Sequence, residues 1–306
     1  MTTSLREQRR QEIRDLLSRR PRVRLGTFPT PLEPLPNLTR QLNGPRLYIK
    51  RDDMTGLAFG GNKTRQLEYV LGSLMLQKPD VFVTGANIQS NWCRQATAAA
   101  VKLGIPIVLV LRNTDMQEMQ GNALLDLWMG ADIRFVNEPD MTLMGRRRHA
   151  VIAELQAQGK NAVNIDPRSC ENSLGYIAMA AELDEQLEAQ GIEPTHIWLP
   201  AAGPTYSGLL IGARMLGWKC KIMGVTPLTW SDMSVETRIA NVANVLKDPD
   251  PVVEILQLSR EGTRLAIRPF CRNEDYWQVY FDTNRVVREA LNESGFPPPD
   301  VIPKLY

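Results

Sequence analysis

The stretch "GLAFGGNKTRQLEYVLG", from Gly56 to Gly72, places a lysine where local rules argue against one. Leu67, Val70, Leu71, Leu74 and Met75 fall at i, i+3, i+4, i+7 and i+8, the apolar stripe of a helix. Asn62 is the expected N-cap. Lys63 and Arg65 then occupy the first turn, where the helix field is positive and acidic side chains are preferred. A cation there costs about 0.3–1 kcal/mol when exposed. The same field, together with burial, favours the neutral amine, and a neutral amine is what attack on an aldehyde requires. The plainer alternative is a lysine whose flexible stem carries its charge out to water. The residue types alone leave both readings open.

Two further loops have the same character. "TGANIQSN" follows the apolar run "VFVTG", and "PAAGPTYSG" lies between "HIWLP" and the helical pattern "LLIGARMLG". A helix N-terminus offers unpaired N–H groups and positive potential, which suit phosphate or carboxylate. Glycine lets the backbone approach such a ligand closely. Each loop by itself is an ordinary strand-to-helix turn.

The elements that position these loops alternate. Strands are expected at "RLYIKR", "VFVTG", "PIVLVL", "DIRFV", "AVNI", "HIWLP" and "KIMGV". Helix patterns such as "QATAAAVKLG" and "GNALLDLWMG" lie between them, closed by Gly104 and Gly130 as C-caps. This order implies an α/β fold with a parallel, doubly wound sheet, or two of them. Ligands in such folds bind at the carboxyl ends of the strands.

Bulk properties narrow the function classes. The chain has 306 residues, enough for two domains, with 43% hydrophobic and 23% charged residues and a net charge of +2. The cluster Arg146, Arg147, Arg148 and His149 reads as a solvated helix face, so no nucleic-acid partner is expected. Cys93, Cys170, Cys220 and Cys271 lack CxxC spacing, which argues against a zinc site or a disulfide framework and suits a reducing, cytoplasmic setting. With only His149 and His196, no metal site is expected. No apolar run reaches membrane-spanning length. Leu5 to Arg20 reads as a basic amphipathic helix packed on the protein surface rather than on a membrane.

At this point the motifs resemble those of a known family. "KRDDMTGLAFGGNKTRQLEY" resembles the lysine segment of the fold-type II pyridoxal-phosphate enzymes. More narrowly it is similar to the 1-aminocyclopropane-1-carboxylate deaminase and D-cysteine desulfhydrase family. "NIQSNWCRQ" resembles that family's Gln-Ser-Asn segment, and "TPLEPLPNL" matches its upstream segment. The resemblance runs from about Phe28 to about Gly295. It implies pyridoxal 5′-phosphate as cofactor, a small amino acid as substrate, and a homodimer as the compatible assembly. The implied fold is tryptophan synthase beta-like, with two doubly wound parallel-sheet domains. A large cofactor domain would span residues 1–65 and 177–306, and a small inserted α/β domain residues 66–176.

The resemblance also implies roles. Lys63 would form the Schiff base with the cofactor aldehyde, and Asn91 would hydrogen-bond the ring hydroxyl. Ser90 would approach the substrate as base, nucleophile or carboxylate binder. Gln89 would help hold the substrate carboxylate. Gly203 and Thr205 would hold the phosphate, and Tyr276 falls where the family has a tyrosine near the substrate. Three departures accompany these matches. Pro204 stands where the family has serine or a similar residue, removing one N–H donor. Trp92 and Cys93 replace polar or histidine-like residues and are expected to pack. After "VVREALNESGF" the family continues into an Asp-Pro-Val-Tyr segment that supplies a second active-site tyrosine, where this chain reads "PPPDVIPKLY". The resemblance then implies an incomplete C-terminal part and no counterpart for the partner of the ring nitrogen. The activity expected first is lyase chemistry on D-cysteine, giving pyruvate, ammonia and sulfide. Deamination of 1-aminocyclopropane-1-carboxylate is the alternative, and a weakly active or non-catalytic cofactor-binding homologue is the third.

Overall fold

A computed structural model of the chain describes residues 4–113, 118–138, 143–200, 203–225, 252–259 and 262–268. The chain divides into two compact units, residues 1–242 and 243–306. The first contains the strand-helix alternation. Strands β3 (Val81–Asn87), β4 (Ile107–Arg112), β5 (Asp132–Val136) and β6 (Ala162–Asn164) form a parallel sheet in the order β5-β4-β3-β6. Register pairs Phe82 with Ile107 and Val108 with Asp132. Helices α4 (Asn91–Leu103), α5 (Gly121–Trp128) and α6 (Met144–Ala157) are the crossovers.

Side-chain alternation covers this sheet on both faces. Phe82, Leu109 and Leu111 point into a core with Leu67, Val70 and Leu71 of α3 (Lys63–Met75) and with Trp92, Cys93 and Ala96 of α4. Val81, Val83, Val108 and Val110 point the other way, under Met144 and Leu155 of α6. Runs that are apolar at every position, as "VFV" and "IVLVL" are, belong to strands buried on both sides. The α/β architecture with parallel sheets expected from the alternation is therefore present.

The second parallel element is the pair β7 (His196–Leu199) and β8 (Lys221–Gly224), joined by α8 (Pro204–Leu216). Helix α7 (Leu174–Ala189) packs against α3 and α8. Two close approaches set these helices. A Cβ on Gly175 would lie 2.1 Å from the Arg65 carbonyl oxygen, and one on Gly208 would lie 2.2 Å from that of Ser173. Only glycine admits such contact between backbones. Helix α1 (Leu5–Ser18) buries Ile13 and Leu17, and its Arg10 pairs with Asp184 (3.0 Å) and Glu188 (2.6 Å) of α7. Its basic residues thus meet the acidic side of another helix, as a protein-packed reading requires.

Three expectations need correction. "RLYIKR" does form a strand, β2 (Tyr48–Lys50), but it pairs antiparallel with β1 (Leu32–Pro34) in a separate two-stranded sheet. Arg148 is not solvated. It is buried, donates to the Gly85 carbonyl (3.3 Å) and faces Asp166 at 3.6 Å, while Arg146, Arg147 and His149 are exposed. Gly130 follows the C-cap rather than forming it: Met129 is the cap, and Gly130 (φ 87°) adopts the left-handed conformation after it. The second unit contains an antiparallel hairpin, β9 (Val252–Ser259) and β10 (Gly262–Arg268), absent from the expected strands. Among the described residues, no helix is long and apolar enough to cross a membrane.

Candidate active site

The loop before Lys63 is held in an unusual backbone. Gly56 (φ 88°), Ala58 (44°), Phe59 (67°), Gly60 (75°) and Gly61 (127°) all have positive φ. Ala58 and Phe59 each carry a cost of about 1–3 kcal/mol for this conformation, which persists only where the surroundings over-determine it. They do so here. Gly61 N–H donates to Thr55 Oγ1 (2.9 Å) and to the Asp52 carbonyl (3.1 Å). Thr55 Oγ1 lies 3.1 Å from Thr64 Oγ1, which donates to Gln95 Oε1 (2.8 Å).

Helix α3 then starts without a side-chain cap. Asn62 stands at the N-cap position but has helical dihedrals and makes no capping bond. Its amide instead donates to Thr205 Oγ1 (3.1 Å). The two cations of the first turn are treated oppositely. Arg65 is buried, donates to Asp52 (2.9 Å) and Glu182 (2.9 Å), and lies 4.4 Å over the Phe28 ring. Burial pulls its pKa down, but these carboxylates more than offset that and raise it. Lys50 joins Glu182 at 2.5 Å, and Tyr176 donates to Asp52 at 2.8 Å. Lys63 has no hydrogen-bond or ion-pair partner among the described residues, and burial alone pushes its amine below the ordinary lysine value. The flexible-stem alternative needs that charge fully in water, and Lys63 is half-buried.

Gly203 and Thr205 stand where α8 begins. Gly203 is the N-cap without a side-chain bond, and Pro204 is at N1. Thr205 Oγ1 accepts from Asn62 Nδ2 and from the buried Gln66 Nε2 (2.8 Å). With both lone pairs so engaged, its own proton is left to donate elsewhere. The N–H groups of the first turn have no carbonyl partner inside the helix. A hydroxyl donor beside such N–H groups, next to an uncapped helix bearing an unpaired lysine, fits the phosphate and aldehyde ends of pyridoxal phosphate.

Ser90 is the N-cap of α4, where Oγ accepts from the N–H groups of Trp92 (3.2 Å) and Cys93 (3.3 Å). Its hydroxyl also hydrogen-bonds the Cys93 thiol. Asn91 is exposed, and its Oδ1 accepts from Asn122 Nδ2 (3.0 Å). The Gln89 side chain turns toward α5: Oε1 accepts from Asn122 N–H (2.8 Å), and Nε2 donates to the Gln120 carbonyl (2.9 Å). Gln89 thereby caps a neighbouring helix. Trp92 and Cys93 pack, as expected. Trp92 is buried with Nε1 on Thr84 Oγ1 (3.0 Å), and burial pushes the Cys93 thiol up to about 12. Tyr276 and the segment after Gly295 lie outside the described residues.

Sequence reasoning missed the side chains that hold these groups. Asn62 and Gln66 tie the lysine helix to Thr205, while Asn122 and Arg94 tie the Gln89–Asn91 turn to α5 and to the glycine loop. Gln66 sits one turn after Asn62, a spacing visible in the sequence. Nothing local identifies Thr205, 139 residues away, as their shared partner.

Comparison with known proteins shows the family of the chain. The family model described as "Pyridoxal-phosphate dependent enzyme" matches residues 23–277. A putative 1-aminocyclopropane-1-carboxylate deaminase of Pyrococcus horikoshii is 32% identical over 285 residues, 92% of this chain and 82% of the relative. The 1-aminocyclopropane-1-carboxylate deaminase of Burkholderia multivorans is 33% identical, covering 84% of both chains. The match to a Pyrococcus furiosus relative, at 36% identity, spans 70% of this chain and 65% of the relative, just under two thirds of its length. Among solved structures, an ACC deaminase homologue aligns with a TM-score of 0.71 at 32% identity, covering 76% of this chain and 72% of the other.

Proposed function

The chain belongs to the pyridoxal-phosphate-dependent enzyme family, and we propose that it is a deaminase whose substrate is 1-aminocyclopropane-1-carboxylate. The observation that carries the site assignment is Lys63, a partly buried amine at the positive end of α3 with no partner among the described residues. D-cysteine, the substrate expected first from the sequence, gives way to the cyclic amino acid because the relatives that cover most of their own length against this chain bear that deaminase's name. D-cysteine lyase chemistry is retained as the second reading.

The cofactor, when bound, supplies an electron sink for a carbanion beside the amino nitrogen. The protein's own groups do the rest. Burial lowers the Lys63 pKa and so favours the neutral amine, the form able to take a proton. The Thr205 hydroxyl and the N-terminus of α8 hold phosphate. The positive end of the α4 dipole suits the substrate carboxylate, and Ser90 Oγ stands at that same helix end. Asn91 presents its amide to the cofactor's ring oxygen. The small α/β insert is assigned to residues 66–176, with Ser90 and Asn91 on it and Lys63 just ahead of it.

Purified holoprotein, yellow from the bound cofactor, should release ammonia from 1-aminocyclopropane-1-carboxylate with a four-carbon 2-oxo acid. Release of pyruvate and sulfide from D-cysteine, with no turnover of the cyclic amino acid, would favour the second reading. A colourless protein that takes up no pyridoxal phosphate would defeat both.

A further inference from the structure

Asn122, in the first turn of α5, is hydrogen-bonded on every side. Its Oδ1 accepts from Arg94 Nη1 (2.9 Å). Its Nδ2 donates to the Gln89 carbonyl (2.9 Å) and to Asn91 Oδ1 (3.0 Å), and its backbone N–H donates to Gln89 Oε1 (2.8 Å). The polarity of this network is forced. A guanidinium only donates, so Asn122 must turn its oxygen toward Arg94. A backbone carbonyl only accepts, so the Asn122 nitrogen must face Gln89. Asn91 therefore meets Asn122 with its oxygen, which leaves Asn91 Nδ2 as the free end of its amide. The same Arg94 donates through Nη2 to the Gly60 carbonyl (3.1 Å), in the strained loop that leads to Lys63.

We propose that Asn122, oriented by Arg94, is a positioning residue that fixes Asn91 as a hydrogen-bond donor toward the cofactor's ring oxygen. The proposal rests on the role assigned to Asn91 above. A ring oxygen that has given up its proton needs a donor, and an amide free to turn over would present its oxygen about as readily as its nitrogen. One guanidinium thus registers two parts of the site, the loop before Lys63 and the amide of Asn91.

The test is Asn122→Asp in the holoprotein. The substitution preserves size and retains an acceptor for Arg94, but the introduced carboxylate cannot donate to Asn91. It accepts from Asn91 Nδ2 instead and turns that amide over, so two oxygens meet at the cofactor. The dissociation constant for pyridoxal phosphate should rise roughly tenfold. The pH midpoint of the bound cofactor's visible band should move upward, because a ring oxygen without its donor holds a neighbouring proton more tightly. Asn91→Ala should move the midpoint in the same direction, and the double variant should go no further than Asn91→Ala alone. Asn122→Ala, which adds no charge, should give a smaller shift of the same sign and stands in if the aspartate variant does not fold. If Asn91→Ala changes neither affinity nor midpoint, the reading of Asn91 fails and this proposal with it. If Asn91→Ala moves the midpoint while both Asn122 variants leave it at the wild-type value, or if the two shifts add, the positioning role alone is overturned.

Discussion

Helices α3 and α4 begin in opposite ways. Helix α4 opens on Ser90, extended, with its hydroxyl on two of the N–H groups that a helix start leaves unpaired. Helix α3 opens on an Asn62 that caps nothing, followed by two cations in the turn where acids belong. Contacts from distant parts of the chain make up the deficit at α3: Asp52 and Glu182 for Arg65, Thr205 for Asn62. Lys63 is left without such a partner among the described residues. A helix end that departs from local rules survives when the tertiary structure offsets the departure, and a group left without a partner among the described residues is a candidate for chemistry.

Removing Lys63 should give the largest effect. Lys63→Ala should lower turnover by roughly a thousandfold or more and prevent borohydride from fixing the cofactor to the α3 peptide. Yet the apo chain should be no less stable, and by thermal melting more stable by about 0.3–1 kcal/mol. The sign with pH follows from the depressed pKa. Between the folded-state pKa and the unfolded value near 10.5, the unfolded chain binds more protons. The stability contribution is therefore present above the unfolded value and lost as pH falls through the folded one. Lys63→Ala should flatten that dependence in the apo protein. A variant that melts well below wild type at every pH would mean that Lys63 is a structural cation.

Arg65, two residues on, should behave in the reverse sense. Arg65→Met leaves Asp52 and Glu182 facing each other without their guanidinium, at a cost of about 3–5 kcal/mol. Urea unfolding of the apo chain measures this directly. A loss under 1 kcal/mol would show that Lys50 alone can satisfy Glu182, and that the contrast between the two cations is overstated.

Much of this was readable from the residues. The seven expected strands are all present, because β-branched runs with helical spacing between them leave few other solutions. The helix starts at Lys63 and Ser90 were legible for a related reason: "GGNKTR" and "IQSNWCRQ" are contiguous, so one short stretch carries each signal. The antiparallel pairing of "RLYIKR" was hidden because a strand of three residues does not state its partner. Burial of Arg148 was hidden because four adjacent basic residues look solvated until one proves to face the sheet. The holders of the site, Gln66, Arg94 and Asn122, act across loops, and their roles exist only once the chain is folded.

Ser90 tests the conventional side of the comparison. Its oxygen both caps α4 and, in the proposed function, faces the substrate, so Ser90→Ala confounds two losses. Ser90→Gly separates them, since glycine replaces a capping serine at a cost of a few tenths of a kcal/mol where alanine costs about 1. If the hydroxyl acts on the substrate, both variants should lose turnover by about a hundredfold, while cofactor absorbance is retained. Recovery of activity in the glycine variant would reduce Ser90 to a cap.

The smallest expected effect lies at a third helix start. Helix α8 begins with Gly203 as N-cap and Pro204 at N1, again with no side-chain cap. Proline suits N1, where its fixed φ matches the helix and its absent N–H would have had no intrahelical partner. At a phosphate-binding end that absent N–H is a lost donor, leaving Thr205 and Tyr206 to supply the first-turn amides. Pro204→Ser restores the donor and releases the backbone, so two measurements should move in opposite directions. The dissociation constant for pyridoxal phosphate should fall by roughly three- to tenfold. The apo chain should lose about 0.4–1 kcal/mol, because the unfolded state regains the freedom that proline had removed. A less stable apo protein with tighter cofactor binding would assign the phosphate to this helix end. Lower stability with unchanged affinity would mean that the Pro204 amide position does not face the phosphate, and that Thr205 and the turn around it hold that group without N1.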